Sequence, residues 1–174
     1  MKTTQIKVLK TNIYKSSEAK SIIFDYKNKG KKVIFTNGCF DIIHKGHKTY
    51  LKAAKKLGDY LIIGLNSDSS VRELKGLDRP VIDQNNRAKN LLKLEYVDAV
   101  TIFSELTPEK LIHDLSPDLI VKGGDYKPEK VVGGDYVQSY GGKVVILPFV
   151  PGYSTTNIIM KRKGKDLTDG EGSN

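Results

Sequence analysis

Cysteine is almost missing from this chain: Cys39 is the only one in 174 residues. A lone cysteine excludes an internal disulfide and fits a reducing compartment. Long apolar runs are missing as well. No stretch approaches the roughly 18 residues that a membrane-spanning helix needs. The N-terminus lacks the long apolar segment of a secretory signal. A soluble, cytoplasmic protein with no membrane partner is therefore expected. Acidic residues are in deficit, 20 Asp and Glu against 29 Lys and Arg, for a formal net charge of +9. That balance implies an anionic partner, either a small phosphorylated molecule or nucleic acid. Part of the excess lies in Lys161-Arg162-Lys163 and Lys165, which reads as a solvated tail. Internal repeats and a second domain are also absent from the pattern. Residues 1–163 read as one domain, with an arm and helix over 1–30, and 164–174 read as a disordered tail.

What is present is an alternation of strands and helices. A helix is expected from Ser16, with Ala19, Ile22, Ile23 and Tyr26 on one face and Gly30 at its end. Lys32–Thr36, Tyr60–Asn66, Ala99–Phe103, Asp118–Val121 and Lys143–Leu147 read as five buried strands. Helices are expected over Gly46–Leu57, around Ser70–Leu74, over Asn85–Leu94, and from Thr107-Pro108 with Pro at the first helical position. A weak helix lies between Gly133-Gly134 and Gly141-Gly142, and a last one opens at Ser154-Thr155-Thr156. The polar segment from Ser67 to Asn85 is mostly a long loop, and long loops in compact domains are usually functional or mobile. Together these predict an α/β domain with a doubly wound parallel sheet. In such sheets ligands sit at the carboxyl ends of strands, at the switch point. If the first and fourth of the five strands are neighbours, the loops after the first, fourth and fifth converge there.

The first of those loops carries the densest chemistry. Asn37-Gly38-Cys39-Phe40-Asp41-Ile42-Ile43-His44-Lys45-Gly46-His47 joins a strand to a helix start. Free backbone N–H groups and the positive helix end make an anion cradle there. Two imidazoles stand three positions apart at the same place. No nucleophile-plus-base pair is visible, and Cys39 has no base specified for it. The arrangement suits holding a phosphate while another molecule attacks it.

Gly38-Cys39-Phe40-Asp41-Ile42-Ile43-His44-Lys45-Gly46-His47 resembles the Gly-x-Phe-Asp-x-x-His-x-Gly-His signature of the cytidylyltransferase-like nucleotidyltransferases. Asn66-Ser67-Asp68, Leu74-Lys75-Gly76, Arg79-Pro80, Arg87, Tyr96-Val97-Asp98, Val121 to Tyr126 and Ser154-Thr155-Thr156 extend the resemblance over about residues 20–162. The combination is most similar to the D-glycero-β-D-manno-heptose 1-phosphate adenylyltransferase branch, in which some members carry the domain behind a sugar kinase. The resemblance implies a Rossmann-like fold of the HIGH type and transfer of AMP from ATP to a sugar 1-phosphate. Mg²⁺ comes with the triphosphate, and no protein metal cage is visible. A separate sugar kinase in the same pathway and a homodimer are implied. Nucleic acid is not an expected partner.

The same resemblance distributes roles. His44 and His47 stabilise the transferred phosphate, and Lys75 on the mobile loop joins them as a catalytic group. Thr36, Asn37, Gly38, Cys39, Phe40 and Gly46 line the nucleotide, with Lys122, Gly124 and Asp125 on the base or sugar side. Ser154, Thr155 and Thr156 meet the outer phosphates. Arg79, Arg87 and Asp41 are expected at substrate phosphate. Two of these stay open: Arg87 binds phosphate or braces the loop, and Asp41 fixes a local turn or reaches the transferred group through metal. The reactants stay open too. CTP with glycerol 3-phosphate or another phosphorylated alcohol uses the same chemistry. A class I synthetase-like RNA reading and a non-catalytic nucleotide sensor are the alternatives of a different kind.

Overall fold

A computed structural model describes residues 11–124, 126–148, 151–152 and 158–159. Strands β1 (Ile13–Tyr14), β2 (Val33–Gly38), β3 (Tyr60–Asn66), β4 (Ala99–Phe103), β5 (Leu119–Gly123) and β6 (Lys143–Leu147) alternate with helices. The helices are α1 (Ser16–Asn28), α2 (Lys45–Lys55), α3 (Asp68–Lys75), α4 (Gln84–Leu92), α5 (Glu109–Leu115) and α6 (Gly134–Ser139). The strands form one parallel sheet in the order β1-β4-β3-β2-β5-β6. Parallel neighbours need crossover connections, and the helices supply them.

Alternation along each strand sorts the core into two faces. Val33, Phe35, Tyr60, Ile62 and Ile120 pack with Ala19 and Ile23 of α1, Leu111, Ile112 and Leu115 of α5, and Val137 of α6. Ile34, Leu61, Ile63, Leu65 and Val121 pack with Leu51 and Ala54 of α2 and with Ala88, Leu91 and Leu92 of α4. Every residue of β3 is buried, as its apolar run from Tyr60 to Leu65 requires, and the polar Asn66 that ends it is buried too.

The expected doubly wound sheet is present, with one strand more than five. The addition is β1, two residues of the stretch read as an arm, laid beside β4 with Ile13 opposite Val100. A two-residue edge strand has no periodicity to betray it. The start of α5 also differs in kind. Pro108 is the N-cap of α5 rather than its first residue, and no side chain caps it. Of the helix expected from Ser154, only Ile158 and Ile159 lie among the described residues, and both are helical.

β2 and β5 are neighbours, pairing Ile34 with Leu119 and Phe35 with Ile120. Chain order reverses at this pair: β3 follows β2 to one side, and β6 follows β5 to the other. This is the switch point, and the loops that leave β2 and β5 both open there.

Candidate functional site

The signature loop turns by a backbone that few side chains tolerate. Phe40 has φ of 44° and is buried. Its ring turns inward, 5.2 Å from the His47 ring. A Cβ on Gly38 would lie 3.0 Å from Phe40 Cε2, tighter than ordinary contact, so the glycine makes room for that ring. Gly38 thus answers to packing as much as to ligand approach. Strain of this kind is kept only where surrounding structure over-determines it.

His44 is the N-cap of α2. Its Nδ1 accepts from the His47 backbone N–H at 3.3 Å, and His47 Nδ1 accepts from the His44 backbone N–H at 3.4 Å. The two rings stack at 3.7 Å with 20° between planes. An imidazole whose Nδ1 accepts must carry its neutral proton on Nε2. Burial lowers the His44 pKa below its ordinary value. Burial, then the charge of His44, brings His47 down to about 4 against an opposing hydrogen bond to the Ile42 backbone. Both are neutral at pH 7 and each keeps one N–H to donate, the kind of donor a cradle for developing anionic charge uses, although that of His47 already meets the Ile42 backbone.

His47 makes stability depend on pH. Its pKa is about 4 in the folded chain against 6.5 as the ordinary value. Between those values the unfolded chain binds the extra proton, so stability rises with pH there. Acidifying from pH 6.5 toward 4 is therefore expected to lower the thermal midpoint. In His47→Gln that slope is expected to flatten. Parallel Tm–pH curves for the two proteins would refute the assignment.

Three residues expected at substrate phosphate are engaged with the protein's own loops. The Asp41 side chain is fully buried against Arg79, whose Nε donates to it at 2.7 Å. The backbone N–H groups of Val81 and Ile82 donate to the same carboxylate at 2.9 and 3.0 Å. Burial alone would raise this carboxyl, but those amides and the guanidinium outweigh it and hold its pKa below the usual range. Asp41 therefore latches residues 79–82 to the signature loop, and its turn-fixing role extends across the chain rather than within its own loop. Asp41→Asn is expected to weaken amide hydrogen-exchange protection at Val81 and Ile82 while α2 stays protected. Unchanged exchange at both amides would count against the latch.

Arg87 has the same character. It is completely buried, and its guanidinium donates to the carbonyls of Ile82, Cys39 and Asn66 at 2.7–2.8 Å and to Asp68 Oδ1 at 2.7 Å. Of the two readings open for it, bracing is the one the geometry takes. Thr36, expected at the nucleotide, is buried and shares a 2.6 Å hydrogen bond with the Tyr50 hydroxyl. Tyr50 in turn donates to the Val121 carbonyl at 2.8 Å. It is a site-shaping residue that sequence reasoning placed only on a helix face. Its position three residues after His47 was the available signal.

The remaining expected residues fall as follows. Lys75, expected on the mobile loop, is instead the exposed last residue of α3, because the helix opens at the Ser67 cap and runs on to Gly76. Burial raises the Cys39 thiol pKa, and the Lys75 charge is the first of those opposing it. Gly46 is the second residue of α2, beside His47. Asn37, the next-to-last residue of β2, meets Lys122, whose Nζ donates to Asn37 Oδ1 at 2.5 Å. Gly124 has φ of 97°, a left-handed backbone that favours glycine, and its N–H donates to Leu147 at 2.8 Å. Asp125, Ser154, Thr155 and Thr156 lie outside the described residues. Tyr126, unassigned by the sequence reading, places its ring 5.7 Å from Lys122 Nζ.

A parallel α/β sheet with paired neutral imidazoles at a helix start beside its switch point defines an anion-handling nucleotide fold. The comparisons agree on the class. The profile described as Cytidylyltransferase-like matches residues 35–161, and the chain belongs to that family. Curated relatives include "Bifunctional protein HldE" of Trichlorobacter lovleyi, 57% identical over 80% of this chain and 28% of that protein. The protein of the same name from Geobacter metallireducens is 58% identical over 80% of this chain and 29% of its own length. The chain thus spans less than a third of the curated relatives it matches. Among solved structures, a lipopolysaccharide core biosynthesis protein from Thermoplasma volcanium GSS1 superposes with a TM-score of 0.58. It is 29% identical, covering 70% of this chain and 98% of that one. No helix among the described residues is long and apolar enough to cross a membrane.

Proposed function

We propose that the chain transfers AMP from ATP to D-glycero-D-manno-heptose 1-phosphate, giving ADP-heptose and pyrophosphate. The observation that carries this is the stacked His44–His47 pair at the start of α2, beside the β2–β5 split. The attacking oxygen belongs to a phosphate and is already an anion, so no general base is needed. What remains is in-line positioning and neutralisation of charge on the phosphate oxygens. Neutral imidazoles and the positive end of the α2 dipole suit that task. Asp41, Arg79 and Arg87 contribute indirectly, by fixing the loops that frame the cleft.

Mg²⁺ accompanies the triphosphate, which offers it oxygens while it keeps several waters. The Asp41 carboxylate is held by Arg79, Val81 and Ile82, so it is not the group that would carry the ion. The likeness to HldE-named proteins supports the heptose branch, as do Val121-Lys122-Gly123-Gly124-Asp125-Tyr126 and Ser154-Thr155-Thr156. In this reading the sugar phosphate comes from a sugar kinase activity of the same pathway, and the protein works as a cytoplasmic homodimer. Pyrophosphate release across a panel of nucleotides and sugar phosphates, with products identified by mass spectrometry, tests the reaction. ADP-heptose is expected. Exclusive formation of CDP-glycerol would replace this acceptor and nucleotide with CTP and glycerol 3-phosphate.

A further inference from the structure

The β2–β5 ladder registers Phe35 on Ile120 and stops there. At the next step Tyr50 reaches in from α2 and takes the Val121 carbonyl and the Thr36 hydroxyl. One residue further on, Lys122 and Asn37 bridge the split by their side chains, Nζ to Oδ1 at 2.5 Å. With its oxygen turned to Lys122, the Asn37 amide has its N–H donors left for a ligand.

Charge around this bridge is one-sided. The groups near Lys122 among the described residues are the Asn37 amide and Cys39 thiol from β2 and its loop, and the Tyr126 ring after β5. Ile146 lies beside it on β6, and the Tyr50 ring lies close to Gly123 from α2. Burial keeps both the Cys39 thiol and the Tyr50 hydroxyl protonated, so neither supplies a negative charge at neutral pH. Burial brings the Lys122 ammonium down to about 8. A desolvated cation beside neutral groups is unfavourable until an anion joins it. Its position at the switch point is where a ligand enters such a sheet.

We propose that Lys122 and Asn37 form a seat for one phosphate oxyanion of the reactants, making Lys122 a catalytic residue. The inference rests on the nucleotidyl-transfer reading for its chemistry. The oxyanion is either the transferred phosphate of the nucleotide or the attacking phosphate of the sugar. Its charge restores the ammonium to its ordinary strength, and the cation neutralises the oxygen as the new bond forms.

The test follows Lys122 directly in the whole protein. With ¹³C-labelled lysine side chains, one resonance is expected to titrate near 8 and to vanish in Lys122→Met. Adding Mg²⁺-ATP, or heptose 1-phosphate, is expected to move that midpoint upward. Movement with ATP alone assigns the transferred phosphate, and movement with the sugar phosphate alone assigns the attacking one. A midpoint unmoved by either overturns the seat. In kinetics, Lys122→Met is expected to lose about 10²-fold in kcat/KM, in the range of one lost oxyanion donor, with Tm little changed. Lys122→Arg is expected to recover part of it and to move the alkaline limb of the rate profile upward. Wild-type rates in Lys122→Met also overturn the proposal. Should no acceptor support pyrophosphate release while the resonance still moves with ATP, the transferase reading fails and the seat stands.

Discussion

Replacing His44 is expected to lower turnover by roughly 10²–10³-fold, the range for removing one preorganised donor to a developing oxyanion. Binding of ATP is expected to change far less, because the triphosphate keeps its other contacts. The structure warns against reading alanine alone. His44 caps α2 through its Nδ1, so His44→Ala removes a helix cap as well as an imidazole. Losing a cap costs about 1 kcal/mol, which lowers Tm without touching chemistry. Asparagine separates the two effects, since it caps helices well and has no imidazole N–H to place on phosphate. His44→Asn is expected to melt near the wild-type temperature and to be as slow as His44→Ala. If His44→Asn turns over within a few-fold of wild type, the imidazole is only a cap. The measurement is pyrophosphate release with saturating ATP, beside calorimetric binding of ATP to each variant.

The limits of sequence reading here follow from the range of the interactions. β3, β4 and β6 were legible to the residue because each is a short apolar run bounded by turn residues. The signature loop was legible as an anion cradle because its determinants are local: a strand end, two glycines, a helix start and imidazoles three apart. What stayed hidden is nonlocal. Asp41 meets Arg79 and two amides some 40 positions on, and no local pattern states that pairing. Basic residues near a phosphate loop read as phosphate ligands, whereas two of them here satisfy backbone carbonyls and carboxylates. Thr36 was hidden likewise, since only the fold brings Tyr50 against it. The Lys122–Asn37 bridge also depends on which strands are neighbours, which the sequence left conditional.

Arg87 carries the largest expected effect on stability. Four acceptors converge on its guanidinium: the Cys39 carbonyl after β2, the Asn66 carbonyl at the end of β3, the Ile82 carbonyl before α4, and Asp68 at the start of α3. Methionine fills some of the volume and supplies none of the donors. It leaves buried carbonyls unsatisfied, and each such group is unfavourable by about 1–3 kcal/mol. Breaking a buried charge pair from one side costs about 3–5 kcal/mol in total. For a chain of this size that corresponds to a Tm lower by roughly 6–20 °C. Asp68→Ala is expected to be milder, because its side chain is 25% exposed and the guanidinium keeps its three carbonyls. The two substitutions share one network, so their effects are expected to be less than additive. A phosphate ligand would behave oppositely: Arg87→Met would keep its Tm and raise the KM for one substrate. Thermal unfolding and steady-state kinetics on the same preparation decide between these. Loss of stability with a fall in kcat in the surviving folded fraction is expected, since the signature loop that carries His44 hangs on the Cys39 carbonyl held by Arg87.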